Sequence, residues 1–319
     1  MDFPPSDDGS YRVWYQALCR ISTAVKQLLS PKHLAQAIGV SESSIKRWCD
    51  RGMIATVRTA GGHRRLRINS VAQFLRDGSH ELIHPKVFGL EPAVSNGGWT
   101  LPEARIRFRD ALVDGSDAVA QSVLPRLYLA NHPVSLIADE VIAPAFQDIG
   151  ELWNCGDVAI YKERRSCEIC LSSLHNLAMC LPSPADSASF AIGATLDGDP
   201  YSIAVTLAEL VLRDNGWDAT CLGSSLSAET LSTAIRDCRP QLMWVSVSHI
   251  PDEERLVDSV KQLFRVASQH GTALSIGGRA LTHDIRRRLS YSTFCDTFHH
   301  LEQFASTISR SVDEHSSSS

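Results

Sequence analysis

The spacing of hydrophobic and polar positions changes twice along the chain, and each change marks a different kind of structure. Between Leu29 and Arg76 the apolar residues suit short elements. Pro31 stands at a helix-entry position, and Leu34, Ala37 and Ile38 share one face of a first helix that stops at Gly39. Ser41 can cap a second helix from Glu42 to Arg51, with Ile45 and Trp48 inward and Ser43, Ser44, Lys46 and Arg47 outward. Ile54 to Ile68 reads as two strands around Ala60-Gly61-Gly62-His63, where the glycines permit the positive φ of a hairpin turn. The pattern predicts a winged helix-turn-helix over residues 29–78.

From Leu101 to Leu181 the period is helical throughout. Pro102 opens one helix, Ser116 caps a second running to about Ala130, and Ser135 caps a third with Pro144 as a kink. A fourth runs from about Val158 to Cys180. Short connections predict a four-helix bundle. From Phe190 strands and helices alternate. The strands are Phe190 to Leu196, Asp218 to Gly223, Leu242 to Ser248, Ala273 to Gly278 and Ser292 to Phe298, each followed by a helix. That predicts a doubly wound, five-stranded parallel sheet of the flavodoxin-like kind, covered on both faces. Ligands on such sheets lie beyond the strand C-terminal ends, here Gly198-Asp199-Pro200-Tyr201, Val245-Ser246-Val247-Ser248 and Gly277-Gly278. The expected partition is an extension (1–28), the winged module (29–78), a Pro- and Gly-rich linker (79–100), a helical cap (101–182), the sheet domain (188–312) and a low-complexity tail (313–319).

Charge sharpens the first module. Residues 11–77 hold twelve Lys/Arg and three Asp/Glu, a net of +9 in a chain of net −5, which leaves −14 elsewhere. A basic head on an acidic body is the electrostatic footprint of a double-stranded DNA partner. Nine scattered cysteines point to free thiols in a reducing compartment, hence to the cytoplasm. No apolar run is long enough for a membrane span, and residues 1–10 lack a secretory pattern.

Two sets of motifs carry a resemblance. Ser-Pro-Lys-His-Leu-Ala at the first helix and Thr59-Ala60-Gly61-Gly62-His63-Arg64-Arg65 at the wing resemble the MerR family of transcription regulators. That resemblance implies a second helix in the major groove and a wing on the flanking backbone, with Ser43, Ser44, Lys46, Arg47, Arg58, Gly61, Gly62, His63, Arg64 and Arg65 as DNA-binding residues. In the sheet domain, Asp199-Pro200-Tyr201-Ser202-Ile203-Ala204 resembles the Asp-x-His-x-x-Gly motif of cobalamin-binding domains, followed by Ser246-Val247-Ser248 and Gly277-Gly278. Trp153 and Glu163-Arg164 resemble the Trp, nine residues, Glu-His pattern of the associated helical cap. The whole chain therefore resembles the light- and cobalamin-responsive MerR regulators of the CarH/LitR type. The cofactor site this implies comprises Trp153, Glu163, Asp199, Tyr201, Ser246, Ser248, Gly277 and Gly278. Tyr201 stands where the family has its lower cobalt ligand, a histidine, and Ala204 where it has glycine. A phenol with a pKa near 10 is a poor cobalt ligand at neutral pH. Cobalamin is the candidate cofactor, and Tyr201 counts against tight lower ligation.

Other residues are less specific. Cys167 and Cys170 form a Cys-x-x-Cys pair, but on one helix face with residue 174 cysteine behaves as a small hydrophobe. Asp157, Asp197 and Asp199 have no paired nucleophile or base, so no catalytic residue is assigned. His249 reads as a polar rim residue at a strand end, and Arg286-Arg287-Arg288 as a solvated helix face. The expected function is a one-component, non-enzymatic transcription regulator whose C-terminal part senses a ligand or light, or mediates oligomerisation. The expected partners are DNA, a second copy or more of the chain, and a protein partner or anti-regulator. A corrinoid-dependent methyl-transfer or mutase-type enzyme or carrier is the alternative. The linker cannot be a dimerising helix, so the helical and sheet parts are expected to hold two DNA-reading heads together.

Overall fold

The computed structural model describes residues 28–78, 80, 82–84, 99–154 and 160–316, without the side chains of 152–154, 160 and 310–316. The expected extension lies outside the described residues up to residue 27, as does most of the expected linker. The described residues divide into two units, one ending at Ser183 and one beginning at Pro184.

The first unit begins with β1 (Leu28–Leu29), α1 (Pro31–Ile38), α2 (Glu42–Asp50), β2 (Thr56–Arg58), β3 (Arg64–Arg67) and α3 (Ile68–Asp77). The Ser30 side chain accepts the His33 N–H, and Pro31 occupies the entry where a missing N–H costs nothing. Gly39, at φ 69°, turns the chain out of α1, and Ser41 caps α2 by accepting the Ser44 N–H. The strands pair antiparallel in the order β1-β3-β2. Leu34, Ile38, Ile45, Leu66, Val71, Phe74 and Leu75 form one core, with Trp48 packed against it. The sequence reading lacks α3 because its cap residue, Arg67, supplies no side-chain bond to announce a helix start.

Five further helical segments follow: α4 (Leu101–Asp114), α5 (Asp117–Leu129), α6 (Val134–Ile137), α7 (Ala143–Asn154) and α8 (Ile160–Ala178). A π-helical turn, Ala138–Ile142, joins α6 to α7. Pro102 stands in the first turn of α4 as expected, flanked by Thr100 and Glu103, which close a reciprocal box. Ser116 holds the cap position of α5 but its side chain makes no cap bond, and Ser135 is buried inside α6 behind Pro133. The expected kink at Pro144 takes the form of that π turn. Proline cannot donate to the carbonyl four residues back and crowds it, so the preceding turn widens. Ser166 of α8 donates to the Leu112 carbonyl at 3.0 Å and Asn176 to Gln121 at 3.1 Å, which fixes α8 on α4 and α5.

The second unit is a parallel sheet of β4 (Phe190–Thr195), β5 (Asp218–Cys221), β6 (Leu242–Ser246), β7 (Ala273–Gly277) and β8 (Thr293–Cys295) in the order β5-β4-β6-β7-β8. Between and after the strands lie α9 (Ile203–Asp214), α10 (Ala228–Cys238), α11 (Glu253–Gln269), α12 (His283–Arg286) and α13 (Phe298–Ser316). Alternate residues feed two cores. Ile192, Ala194, Met243, Val245 and Ile276 pack with α10 and α11, while Ala191, Leu242 and Trp244 pack with α9 and α13. Gly193 is required in mid-strand because the Trp244 ring covers its Cβ position. The chain leaves β4 and β6 toward helices on opposite faces, which makes their C-terminal ends the switch point of the sheet. α13 continues to Ser316, into the stretch expected as tail, and residues 317–319 lie outside the described residues.

Arg286 and Arg288 do more than form a solvated face. The Arg286 guanidinium lies 4.2 Å over the Phe294 ring and 3.1 Å from Asp296, and Arg288 pairs with Glu253 and Glu254. Sequence shows three adjacent charges, whereas their partners come from β8 and α11.

Candidate functional site

The switch point is organised by one buried carboxylate. Asp199, 2% exposed, sits in the loop after β4. Its Oδ1 accepts the Tyr201 N–H at 3.1 Å, and its Oδ2 accepts the N–H groups of Ser248 at 2.6 Å and His249 at 3.2 Å. The loop is fixed from below as well: Thr195 Oγ1 donates to the Asp199 carbonyl at 2.6 Å and accepts the Ser225 N–H at 2.8 Å. Three charge-assisted bonds to backbone make Asp199 a tie between the loops after β4 and β6. They also set Tyr201 and His249 side by side, ring centroids 6.3 Å apart and nearly perpendicular.

Ser246 is buried at the end of β6, and Ser248 is half-buried beyond it. Gly277 and Gly278, expected in the cofactor site, approach the protein's own backbone. A Cβ on Gly278, at φ 129°, would fall on the Val247 peptide, and one on Gly277 would lie 2.7 Å from the Cys295 carbonyl oxygen. The Val247 N–H donates to the Gly277 carbonyl at 2.9 Å. A crevice opens beside this knot, lined by Asp197, Asp199, Ser246, His249, Asp252 and Arg255 among others. Arg255 crosses its rim to Asp197 at 2.7 Å. The fold thus brings Asp199, Tyr201, Ser246, Ser248, Gly277 and Gly278 to the C-terminal edge of one sheet. Trp153 and Glu163 belong to the first unit, at the end of α7 and in the first turn of α8. The Trp153 side chain lies outside the described residues.

The second candidate surface is cationic. Ser43, Lys46 and Arg47 are exposed on α2, and Ser44 is partly covered, its hydroxyl 2.9 Å from Ser41 Oγ. Lys46 pairs with Glu42 at 2.9 Å. In the hairpin, Gly62 at φ 77° turns the tip, and the Thr59 hydroxyl accepts the His63 N–H at 3.2 Å. Arg58, Gly61, Gly62 and His63 are exposed. Arg64 and Arg65 are less so. Arg64 Nη2 reaches Asp50 Oδ1 at 2.6 Å and Nη1 the Lys46 carbonyl at 3.2 Å, which binds β3 to the end of α2. Asp50 is the residue that sequence reading missed here; its sign, opposite to that of the surface around it, is the signal that could have found it.

Strand order, switch-point loop and covering helices define the second unit as a flavodoxin-like fold. Residues 105–177 match the B12 binding domain family. The chain is 26% identical over 265 residues to the HTH-type transcriptional repressor CarH of Myxococcus xanthus, covering 77% of this chain and 87% of that protein. The chain is thus similar to a CarH repressor over most of its length, and its helices α4 to α8 are similar to the B12 binding domain family. Among solved structures, the monomethylamine corrinoid protein of Methanosarcina barkeri superposes with a TM-score of 0.55 at 16% identity, over 65% of this chain and 98% of that one. At that identity the likeness is one of fold. Among the described residues, no helix is long and apolar enough to cross a membrane.

Proposed function

We propose that this chain is a DNA-binding transcription regulator whose residues 29–78 form a winged helix-turn-helix and whose sheet part holds a corrinoid. The observation that carries the reading is the exposed cationic surface of α2 and the hairpin, in a chain related to a repressor over most of its length. Ser43, Lys46 and Arg47 face base edges or neighbouring phosphates; Arg58, His63 and Arg65 supply cations to the flanking backbone. Arg64 has a different part, since its guanidinium sets the wing angle against α2. A palindromic operator needs two such heads at fixed separation, so the regulator acts as a homodimer or higher homo-oligomer held by the parts beyond residue 100.

The test is selection of bound sequences from a random duplex pool with the full chain, followed by anisotropy titration across a salt series. Sequence-selective binding, with log affinity falling linearly with log salt, is the expected result. Equal affinity for all duplexes would overturn the reading.

A second reading, a corrinoid methyl-transfer carrier, is favoured by the fold likeness to a corrinoid protein. It gives no role to the cationic head, and it requires a methyltransferase partner in place of an operator. The sheet edge fits a corrinoid by its donor set. It presents the His249 imidazole, a nitrogen donor suited to cobalt, beside the Tyr201 phenol. When bound, the corrinoid would supply a cobalt centre able to exchange a ligand. Asp199 would hold the two loops that meet it, and Ser246 and Ser248 would offer hydroxyls along the edge.

A further inference from the structure

We infer that His249, in the loop after β6, is the protein's axial nitrogen donor to the cobalt of a corrinoid bound at this sheet edge. The inference rests on the proposed corrinoid reading and deepens it. The loop after β4 carries Tyr201 as its aromatic donor, and a phenol is a weaker ligand for cobalt than an imidazole. A neutral imidazole is a strong one. Asp199 brings an imidazole to the same sheet edge by another route. Its Oδ1 holds the backbone of Tyr201 and its Oδ2 the backbone of His249, so one buried carboxylate fixes both loops. The His249 ring stands edge-on to Tyr201 with centroids 6.3 Å apart, so both rings stand at this edge of the sheet.

Burial assigns the parts. Asp199 is 2% exposed and its carboxylate is taken up by three N–H groups, so it is a positioning residue rather than a ligand. His249 is exposed and lines the switch-point crevice together with Ser246. Its anchoring uses only the backbone N–H, which leaves both ring nitrogens outside that tie. Ligation needs neutral imidazole and consumes no redox equivalent: one nitrogen lone pair enters an axial position of cobalt and displaces water or the corrinoid's own base.

The experiment uses the full-length protein grown with nitrogen-15 histidine, loaded with cob(II)alamin, and examined by electron paramagnetic resonance. Nitrogen-14 on the axis splits each cobalt line into three, and nitrogen-15 into two. The expected result is a two-line pattern in labelled wild type that persists in Tyr201→Phe and is lost in His249→Ala. Because the His249 anchor is its backbone N–H, alanine keeps the tie; His249→Gln serves as a second variant, with thermal unfolding checked for both. Three-line splitting in labelled wild type, or a two-line pattern surviving in His249→Ala and His249→Gln, overturns the assignment while leaving corrinoid binding intact. Corrinoid that separates from wild type on gel filtration overturns the corrinoid reading, and this inference with it.

Discussion

Arg76 and Tyr128 meet twice: the Arg76 Nη1 donates to the Tyr128 carbonyl at 2.7 Å, and its guanidinium lies 3.8 Å over the Tyr128 ring. Arg76 is near the end of α3 and Tyr128 is buried near the end of α5, so this contact joins the N-terminal module to the helical part. The last carbonyls of a helix lack partners within it, and a cation there also meets the negative end of the helix dipole. Asn131 Nδ2 donates back to the Arg76 carbonyl at 3.4 Å, Asn69 reaches Ser183 at 2.9 Å, and Leu129 packs on the N-terminal core. The N-terminal module is therefore seated on the helices that carry the B12-binding match, which gives a change there a physical path to the cationic surface.

Replacing Arg76 by alanine should cost about 2–3 kcal/mol, from a charged hydrogen bond and a cation–π contact together. Arg76→Lys should recover less than half of that, because an ammonium lacks the planar face that stacks on Tyr128. Urea unfolding measures the loss, and hydrogen exchange in α3 should show it first. A loss below about 0.5 kcal/mol would mean that the contact does not form in solution.

Much of this architecture was legible because its signals are local. Ser41, Gly39, the Gly61-Gly62 tip and the five apolar strands each announce themselves within a few residues, and the strands appeared within two or three residues of their expected ends. The site was legible as a set of strand ends. Its internal bonding was not, because the partners of Asp199 are backbone groups about fifty residues away, which no side-chain pattern encodes. The Asp50 partner of Arg64 is hidden for the same reason. A basic residue in a wing looks the same in sequence whether it faces phosphate or Asp50. α3 was missed because its start has no cap.

Arg64 and Asp50 should behave as a pair. Arg64→Ala and Asp50→Ala should each alter sequence selectivity by loosening the wing against α2, with a coupling of about 0.2–1 kcal/mol in a double-mutant cycle on stability. Arg58→Ala, by contrast, should weaken all duplexes alike and reduce the salt slope by about one. If Arg64→Ala lowers the salt slope by one and leaves selectivity unchanged, the guanidinium faces phosphate when DNA is bound.

Stability should fall in alkali because of buried thiols. Burial pushes Cys180 up to about 12 and Cys221 up to about 11 from an ordinary value of 9.0. The folded state therefore keeps protons that the unfolded chain releases. The contribution is intact below about pH 9 and is lost as pH rises through the folded values, by up to about 1.4 kcal/mol per pH unit for each thiol. A Cys180→Ala, Cys221→Ala variant should lose roughly 2–3 kcal/mol less than wild type between pH 9 and 10.5, measured by urea unfolding. Parallel pH profiles for the two proteins would refute the assignment.

Asp199→Asn should destabilise the sheet domain by about 2–4 kcal/mol, even though it is nearly isosteric. Amide oxygen can accept from one loop, but the amide NH₂ would then face a backbone N–H of the other, leaving a buried donor unpaired. Calorimetry of the full chain should show the shift. A change under about 1 kcal/mol would indicate that the two loops are held by other contacts.

Gly278→Ala tests the knot that closes the sheet edge. Two effects act together: φ 129° is a conformation that L residues rarely adopt, and the added methyl would land on the Val247 peptide. Backbone on both sides cannot swing aside as a side chain could, so the loop after β6 must move, taking Ser248 and His249 off the Asp199 carboxylate. The expected loss is about 2–4 kcal/mol, with amide exchange at Ser248 and His249 accelerated before that of β6 itself. Gly216→Ala is the control, since it shares a positive φ of 82° but has open space where the methyl would go. It should cost only about 1 kcal/mol. Equal losses at the two glycines would mean that backbone strain alone is being read, and that the close approach of Gly278 to Val247 contributes nothing.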